Sequence, residues 1–428
     1  MRRHLTLALL ALALAAPARA QRATVVVDSP DFRPLPIAVP AFLADGEARA
    51  AGEATDVLRA DLTLSGLFEV LDPRSYLADA SEGLAAPSIK FSRWATVGAD
   101  GLVKARLRRE GAGLAADLRL HEVRAGREVL ARTLAAPDAR QLAHRIADEL
   151  VRHYTGEPGV FRTHIVAIRK AGDGRELVLF DADGKNPRVL LSEKTLLLMP
   201  SWHPDGDRIL VTSYRGGRPE LWVYRLSDRS FRRLPTGHLA VGGAFSPDGT
   251  RLAFTSADGA DTDVWVAAAD GTGARRLTSG AALDLSPTWS PDGARLAFVS
   301  DRAGTPQLYL MSAGGGDPRR LTFQGNYNQT PQWGPRGDLI AFTARDERKV
   351  FDVFAVSPET GKIQRVTQDQ GRTNEEPTWA PNGRLLAFTS DRGGVPQLVI
   401  SDPKGERQAV VTSGAELATP AWGPLPRE

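Results

Sequence analysis

The stretch Pro287–Arg302, "PTWSPDGARLAFVSDR", contains the pattern that decides the fold. An aromatic residue, Trp289, comes just before a Ser-Pro-Asp-Gly sequence. Proline presets φ, aspartate bonds its own backbone and glycine accepts positive φ, so together these residues favour a tight turn. After the turn, residues 295–299 alternate in the manner of a strand with one buried face. The stretch therefore predicts two short antiparallel strands joined by a turn.

This pattern repeats through the second half of the chain. Each copy except the last continues into two further short strands, such as "LYLMS" from Leu308 and "PRRLT" from Pro318. A period of 40 to 50 residues in an all-β context is typical of the blades of a β-propeller. The aromatic anchors of the six copies are Trp202, Phe245, Trp289, Trp333, Trp379 and Trp422. We expect these aromatic residues to pack as wedges between blades and not to bind a ligand.

The two ends of the repeat region complement each other. The segment from Thr163 supplies a second, third and fourth strand without a first. The last copy, "PAWGP" from Pro420, supplies a first strand without the others. Together they make one blade, which predicts a closed ring of six blades. In that ring the Trp422 strand pairs with the segment near Ile165, and closure removes the open sheet edges.

The region before the ring lacks the period and is expected to form a separate α/β domain at 34–157, followed by the propeller at 158–428. Its predicted fold is a mixed sheet with two helices. Helices are expected where apolar residues recur at helical spacing, and each is followed by a glycine stop signal. The predicted helices lie at 47–65 and 138–154, and the predicted strands at 36–42, 67–71, 102–110, 114–123 and 128–135.

The first twenty residues have the features of a secretory signal. Two arginines precede an apolar run at 5–16, and Ala18 and Ala20 occupy the small-residue positions that a signal peptidase recognises. We expect cleavage before Gln21 and export to the periplasm; a buried core helix is the alternative. The chain has no cysteine, which rules out disulfides, thiolate metal sites and a lipid-modified cysteine.

Charge and hydropathy narrow the classes of partner. The first twenty residues hold three of the 54 basic residues and none of the 51 acidic ones, so the expected mature chain has no net charge. Nucleic-acid binding would require a basic surface and is not indicated. No later run of eighteen apolar residues exists, so no membrane span is expected. We expect a monomer.

No catalytic motif emerges. The chain has no G-x-S-x-G, no H-E-x-x-H and no P-loop. No cofactor or metal is therefore expected, although a cation held by channel acids such as Asp284, Glu375 or Glu376 stays open. A hydrolase or sugar-processing enzyme using channel carboxylates is one alternative function, and a glycan-binding propeller is another. The histidines after the leader show no metal-ligand spacing: His121, His144, His153, His164, His203 and His238.

Five loops join the fourth strand of one unit to the first strand of the next, and we call them the mouth loops. They read "GHLAVGG", "GAALDLSP", "GNYNQTP", "GRTNEEP" and "GAELATP". In a propeller such loops surround one end of the central channel, and variation on a rigid frame is typical of recognition. Their polar and aromatic side chains suit a protein or peptide ligand. The candidate contacts are Asp284, Asn326, Tyr327, Asn328, Asn374, Glu375 and Glu376.

Two segments outside the repeats, "DLTLSGLFEVLD" from Asp61 and "LAHRIADELVRHYTGEPGVFRTHIVAI" from Leu142, complete the pattern. With the six repeats they make the chain resemble the TolB family, the periplasmic component of the Tol–Pal envelope system, nearly from end to end. The resemblance implies a non-enzymatic adaptor. Its propeller mouth would hold the lipoprotein Pal, and its N-terminal arm and domain would engage TolA. The role implied is in outer-membrane integrity and in constriction during cell division.

The resemblance also implies residues for both contacts. The arm is expected at 21–33. Its β-branched stretch "TVVVDS" supplies the residues expected to contact TolA; an edge strand of the chain's own domain is the alternative. The resemblance adds His238, in the loop before the second aromatic anchor, to the residues expected to contact Pal. The expected arm contacts are Thr24, Val25, Val26, Val27, Asp28 and Ser29.

Overall fold

The computed structural model describes residues 32–427, apart from residues 78, 80, 81, 238, 259, 260 and 346. The expected signal, the arm residues Thr24–Ser29 and His238 therefore lie outside the described residues.

The N-terminal region folds around a mixed sheet with the strand order β3-β1-β4-β5-β6, in which β2 also pairs with β4. Strand β1 runs parallel to both of its neighbours, whereas β4, β5 and β6 are antiparallel. The mixed sheet expected from the sequence is therefore confirmed. Its strands are β1 (Leu35–Ala38), β2 (Leu43–Asp45), β3 (Phe68–Val70), β4 (Gly101–Glu110), β5 (Gly113–Glu122) and β6 (Arg127–Ala136).

Two long helices, α1 (Ala48–Leu64) and α3 (Ala139–Thr155), pack against this sheet as predicted. Helix α3 begins after Asp138, whose carboxylate accepts a hydrogen bond from the backbone N–H of Gln141 at 2.8 Å. It ends at Gly156, where φ is 76°, a conformation that glycine adopts at little cost.

A third helix, α2 (Phe91–Thr96), was not predicted. It has only six residues, too few to show a helical period in the sequence. Its Trp94 is 1% exposed and anchors the helix in a small separate core. Two 3-10 turns, Pro73–Ser75 and Ala86–Ser88, lie in the segment that leads to it.

The described residues after α3 form six four-stranded antiparallel sheets arranged as a propeller. The first blade consists of β30, β7, β8 and β9, and each later blade takes four consecutive strands. The strands are β7 (His164–Ala171), β8 (Gly174–Asp181), β9 (Arg188–Glu193), β10 (Leu197–Trp202), β11 (Arg208–Ser213), β12 (Glu220–Arg225), β13 (Phe231–Arg233), β14 (Leu239–Phe245), β15 (Arg251–Asp258), β16 (Asp261–Ala268), β17 (Arg275–Arg276), β18 (Asp284–Trp289), β19 (Arg295–Ser300), β20 (Gln307–Ser312), β21 (Arg319–Arg320), β22 (Asn328–Trp333), β23 (Ile340–Arg345), β24 (Phe351–Val356), β25 (Ile363–Arg365), β26 (Asn374–Trp379), β27 (Leu386–Ser390), β28 (Gln397–Ser401), β29 (Gln408–Val410) and β30 (Leu417–Trp422).

The ring closes as the two incomplete repeats predict. Strand β30 pairs antiparallel with β7, and Trp422 lies opposite Ile165. The C-terminal strand is thus the innermost strand of the first blade, hydrogen-bonded to a segment from the start of the propeller.

The aromatic anchors pack between neighbouring blades. Trp289 lies in one apolar cluster with Val264 of the preceding blade and Phe298 of its own. Its indole Nε1 also donates to the carbonyl of Ala244 in the preceding blade, at 2.8 Å. Trp379 makes the equivalent bond to Gln332 at 3.0 Å. A single residue type thus joins blades by apolar burial and by a directed hydrogen bond.

Charged side chains attach the N-terminal domain to the ring. Glu157, just after α3, accepts hydrogen bonds from Arg336 at 2.8 Å and from Arg384 at 2.7 Å. At the end of α1, the Gly66 carbonyl accepts a bond from Arg407 of the sixth blade. The two regions therefore meet through paired charges as well as apolar contacts.

Candidate functional site

A cavity of about 530 Å³ lies inside the ring. Its wall is made by the first strand of each blade, with the aromatic anchors and the prolines of the tight turns towards one end. These prolines are Pro247, Pro291, Pro335 and Pro381. The opposite end is the mouth, where the mouth loops lead into the first strands.

Every first strand carries a bulge at the same place. The residue three positions before each aromatic anchor has a positive φ, between 46° and 60°. At this point the register with the neighbouring strand shifts. Five of the six residues are not glycine, so the left-handed backbone carries a cost. The bulged residues are Met199, Gly242, Ser286, Thr330, Glu376 and Thr419.

Hydrogen bonds between blades hold these bulges. The backbone N–H of Ser286 donates to the hydroxyl of Thr255 in the preceding blade at 3.0 Å. The N–H of Glu376 donates in the same way to Thr343 at 2.9 Å. At Gly242, Ser286, Glu376 and Thr419 the bulge therefore ties a first strand to the blade before it.

Glu376 reaches into the channel at its bulge. Its carboxylate accepts a hydrogen bond from the backbone N–H of Thr419, on the next first strand. Burial raises its pKa to about 7, and the charge of Glu375 adds to the rise. The pKa of Glu375 is also raised, first by burial and then by Asp391. Glu375 accepts from Gln329 at 3.3 Å, so each carboxylate links neighbouring first strands.

Three of the candidate mouth residues are buried at equivalent positions, as the first residue of three successive first strands. Asp284 is paired with Arg302 at 2.9 Å. Asn328 donates to Gln307 at 3.0 Å, and Asn374 donates to Asp352 at 3.0 Å. All three are at most 1% exposed. In this conformation they support the mouth loops from inside the blades, without surface to offer a partner.

The threonines that complete these networks were not predicted from the sequence. Thr322 follows the fourth strand, and its hydroxyl donates to Gln307 at 2.8 Å while accepting the N–H of Leu308 at 2.9 Å. Thr278, Thr367 and Thr412 accept the equivalent backbone bond in their blades. The repeated threonine in "ARRLT", "PRRLT" and "IQRVT" was the available signal.

Two other candidates lie closer to the surface. Asn326 is exposed, and Tyr327 beside it is half-buried. The Tyr327 ring meets Phe351 edge-on, with centroids 5.9 Å apart, and the guanidinium of Arg345 lies over it at 5.5 Å. Tyr327 is therefore held in one orientation at the rim of the mouth.

Exposed apolar side chains gather on the same face. Because strands alternate in direction, the loops after the fourth and after the second strand of each blade emerge on this face. Eight large apolar side chains are exposed among the described residues, and five of them lie in these loops or at their ends. We call them the apolar rim: Leu196, Leu239, Leu283, Phe323 and Val395.

Comparison with known proteins defines the family. The model of the TolB amino-terminal domain matches residues 23–129, and the model of the TolB beta propeller domain matches residues 151–426. The chain belongs to the TolB family. Within the described part of this TolB-family chain, no helix is long and apolar enough to cross a membrane.

Relatives of this TolB-family chain match all or part of its length. A Tol-Pal system protein TolB of Anaeromyxobacter dehalogenans (strain 2CP-1 / ATCC BAA-258) is 66% identical over 430 residues, covering 99% of both chains. That of Myxococcus xanthus (strain DK1622) is 49% identical over 217 residues, about half of each chain. The crystal structure of TolB from Acinetobacter baumannii superposes with a TM-score of 0.81 at 26% identity, covering 92% of this chain and 97% of that one.

Proposed function

We propose that this chain is the periplasmic adaptor of a Tol–Pal system. It binds the lipoprotein Pal at the propeller mouth and TolA through the N-terminal arm and domain, and it catalyses no reaction. Through these contacts it supports outer-membrane integrity and constriction during cell division. Family membership and the full-length relative named as a Tol-Pal system protein support the proposal.

The apolar rim is the observation that carries the Pal contact. Phe323 is 71% exposed, and Leu283 and Leu196 are each more than 40% exposed, on the face that opens into the channel. Exposed apolar groups bordered by polar ones are characteristic of protein interfaces. Asn326 and Tyr327 stand beside Phe323 and supply the polar and aromatic contacts of the same surface.

The arm is proposed to contact TolA by strand addition. The segment Thr24–Ser29 is rich in β-branched residues, which favour an extended backbone. An extended segment can add to a sheet edge of another protein, with main-chain hydrogen bonds giving affinity. The alternative is that this segment forms an edge strand of the chain's own domain. Measuring TolA binding after removal of the arm distinguishes the two arrangements.

The channel carboxylates favour one rival function. Glu375 and Glu376 both have raised pKa values, as a hydrolase acting through paired acids would require. Both carboxylates, however, already accept hydrogen bonds from neighbouring first strands. We therefore assign both carboxylates a structural role, in which they link neighbouring first strands of the channel wall. A turnover screen on peptides and glycans tests the alternative, that they catalyse hydrolysis.

Calorimetry with the soluble domains of Pal and TolA tests the adaptor function. The full mature chain should bind both, and a chain lacking residues 21–33 should lose TolA while keeping its affinity for Pal. Equal TolA binding with and without the arm would refute the arm contact. Hydrolysis of a peptide or glycan that Glu376→Gln abolishes would instead establish the enzyme.

A further inference from the structure

A cluster of titratable groups lies where helix α3 meets the first blade. His144 projects from α3, Asp181 ends β8, and Asp183 lies in the turn after β8. One ligand atom from each of these three residues lies within 4.8 Å of the other two. Asp181 and Asp183 lie two positions apart, whereas His144 lies on α3 far earlier in the chain, so only the fold brings the histidine to the two carboxylates.

A hydrogen bond to Asp61 fixes the orientation of the His144 ring. Its Nδ1 lies 2.7 Å from a carboxylate oxygen of Asp61 on α1, and His144 and Asp61 are 3% and 0% exposed. With Nδ1–H donating to Asp61, the ring presents Nε2 to the blade. This Nε2 is buried and has no hydrogen-bond partner among the described residues. In metal-binding histidines, one ring nitrogen usually donates to a carboxylate and the other ring nitrogen is left to bind the metal.

Other potential metal-ligand atoms lie near the His144 Nε2. The His144 Nε2 lies 3.9 Å from one oxygen of Asp181, and the Nε2 of His164 lies 3.9 Å from the other. These separations are slightly longer than those between ligands of one tetrahedral ion, so a small inward movement of the side chains would complete the site. An adjoining cavity of about 650 Å³, lined by both histidines and Asp181, gives access from solvent and room for water ligands.

Arg140 is the competitor for this position. One turn before His144 on α3, its guanidinium donates to Asp181 at 2.8 Å and also to Asp183. Without a metal it neutralises both carboxylates. Arg140 lines the same cavity, so it has space to turn away when a cation arrives. Displacing Arg140 from the two carboxylates costs free energy, which lowers the affinity of the site for the metal ion. We therefore expect a dissociation constant in the micromolar range.

We propose that His144, Asp181 and Asp183, with His164 beside them, form a site for one divalent transition-metal ion of the zinc class. Imidazole and carboxylate ligands together suit Zn²⁺, Co²⁺ or Ni²⁺ better than Ca²⁺ or Mg²⁺, which prefer oxygen alone. The ion would join α3 to the first blade and so hold the two domains together. This site is separate from the mouth and the arm, and it stands independently of the proposed function.

Equilibrium dialysis of the full chain, exported and purified without a histidine tag, tests the proposal. The chain should take up one equivalent of Zn²⁺, and Co²⁺ should give visible absorption bands of a low-coordinate site. Asp181→Asn and His164→Gln should each weaken binding by roughly tenfold or more. His153→Gln, on the same helix but outside the cluster, should leave it unchanged.

Arg140→Gln gives a result that a purely structural cluster would not. Removing the competing cation should tighten Zn²⁺ binding several-fold, even if the variant melts at a lower temperature without metal. Failure of the native chain to bind at about 100 μM Zn²⁺, a concentration well above any micromolar Kd, would overturn the proposal. Zn²⁺ uptake that neither Asp181→Asn nor His164→Gln reduces would also overturn the proposal.

Discussion

Trp422 lies opposite Ile165 across the seam of the ring, and its indole Nε1 donates to the hydroxyl of Thr163 at 2.8 Å. Thr163 stands 259 positions earlier in the chain. Trp422 is 7% exposed, so the contact joins the two ends of the propeller by a buried aromatic ring as well as by strand pairing. The stability of the whole ring should therefore depend on this one strand.

Replacing Trp422 by Ala should lower the free energy of unfolding by about 3 to 5 kcal/mol, because it empties a buried aromatic site and removes the donor from which the Thr163 hydroxyl accepts, leaving only the bond to Val160. Deleting residues 417–428 should go further and remove the cooperative transition of the propeller. Denaturant titration followed by fluorescence and circular dichroism measures both effects. Deleting only residues 426–428 is the control, since Pro426 and Arg427 are exposed. Cooperative melting at the original temperature without β30 would contradict a closed ring.

The buried candidate residues of the mouth and the exposed residues of the apolar rim should behave differently when they are replaced. Asn328→Ala removes a buried donor and leaves the Gln307 oxygen with one partner fewer, so it should cost about 2 kcal/mol of stability. Phe323→Ser should leave the melting temperature within a degree or two, because the side chain is mostly exposed. Thermal unfolding of both variants tests this division, and an Asn328→Ala chain as stable as the native one would contradict the network.

Binding to Pal should follow the opposite order. Phe323→Ser should weaken calorimetric affinity by about 1 to 2 kcal/mol, or roughly tenfold, if the apolar rim is the contact surface. Val410→Ser is a matched control, since Val410 is also exposed but lies on an outer strand. Unchanged affinity after replacement of Phe323, Leu283 and Tyr327 together would remove the rim from the interface.

The pKa of Glu376 predicts a pH dependence of stability. The folded chain keeps this proton up to about pH 7, whereas the unfolded chain releases it near 4.5. The folded state thus binds more protons between these values, and the free energy of unfolding falls as the pH rises through them. Glu376→Gln should remove this slope and stabilise the chain at pH 8 by on the order of 1 kcal/mol, a reduced value because the residue is only partly buried.

Denaturant titrations of Glu376→Gln at pH 5 and pH 8 measure that slope. Glu406→Gln, on an exposed turn, provides the comparison and should behave as the native chain does at both values. A Glu376→Gln variant with the native slope would mean that the carboxylate is ionised in the channel at pH 5 already.

The sequence predicts the ring because its repeat is local: the aromatic anchor occurs six times and the tight turn five times, and the incomplete units at the two ends complement each other. The bulge is less visible, since strand alternation gives no sign that Glu376 takes a positive φ. Burial of Asn328 and Asn374 could not be foreseen either, because their partners Gln307 and Asp352 belong to the preceding blade. His144 and Asp61 meet only after two helices pack together, so their pairing has no local signal.

Glu157 should control how firmly the N-terminal domain is attached. Glu157→Ala removes the acceptor of both Arg336 and Arg384 and should cost about 1 kcal/mol, a modest value because the carboxylate is partly exposed. This loss of stability should be confined to the connection between the two domains. Amide hydrogen exchange of residues 157–163 should therefore become faster, while the blade strands keep their protection. Glu149→Ala, which breaks the ion pair with Arg132 within the N-terminal domain, should leave exchange in this connection unchanged. Equal exchange in both variants would mean that the other contacts, among them Arg140 with Asp181 and Arg407 with Gly66, hold the domains without help from Glu157.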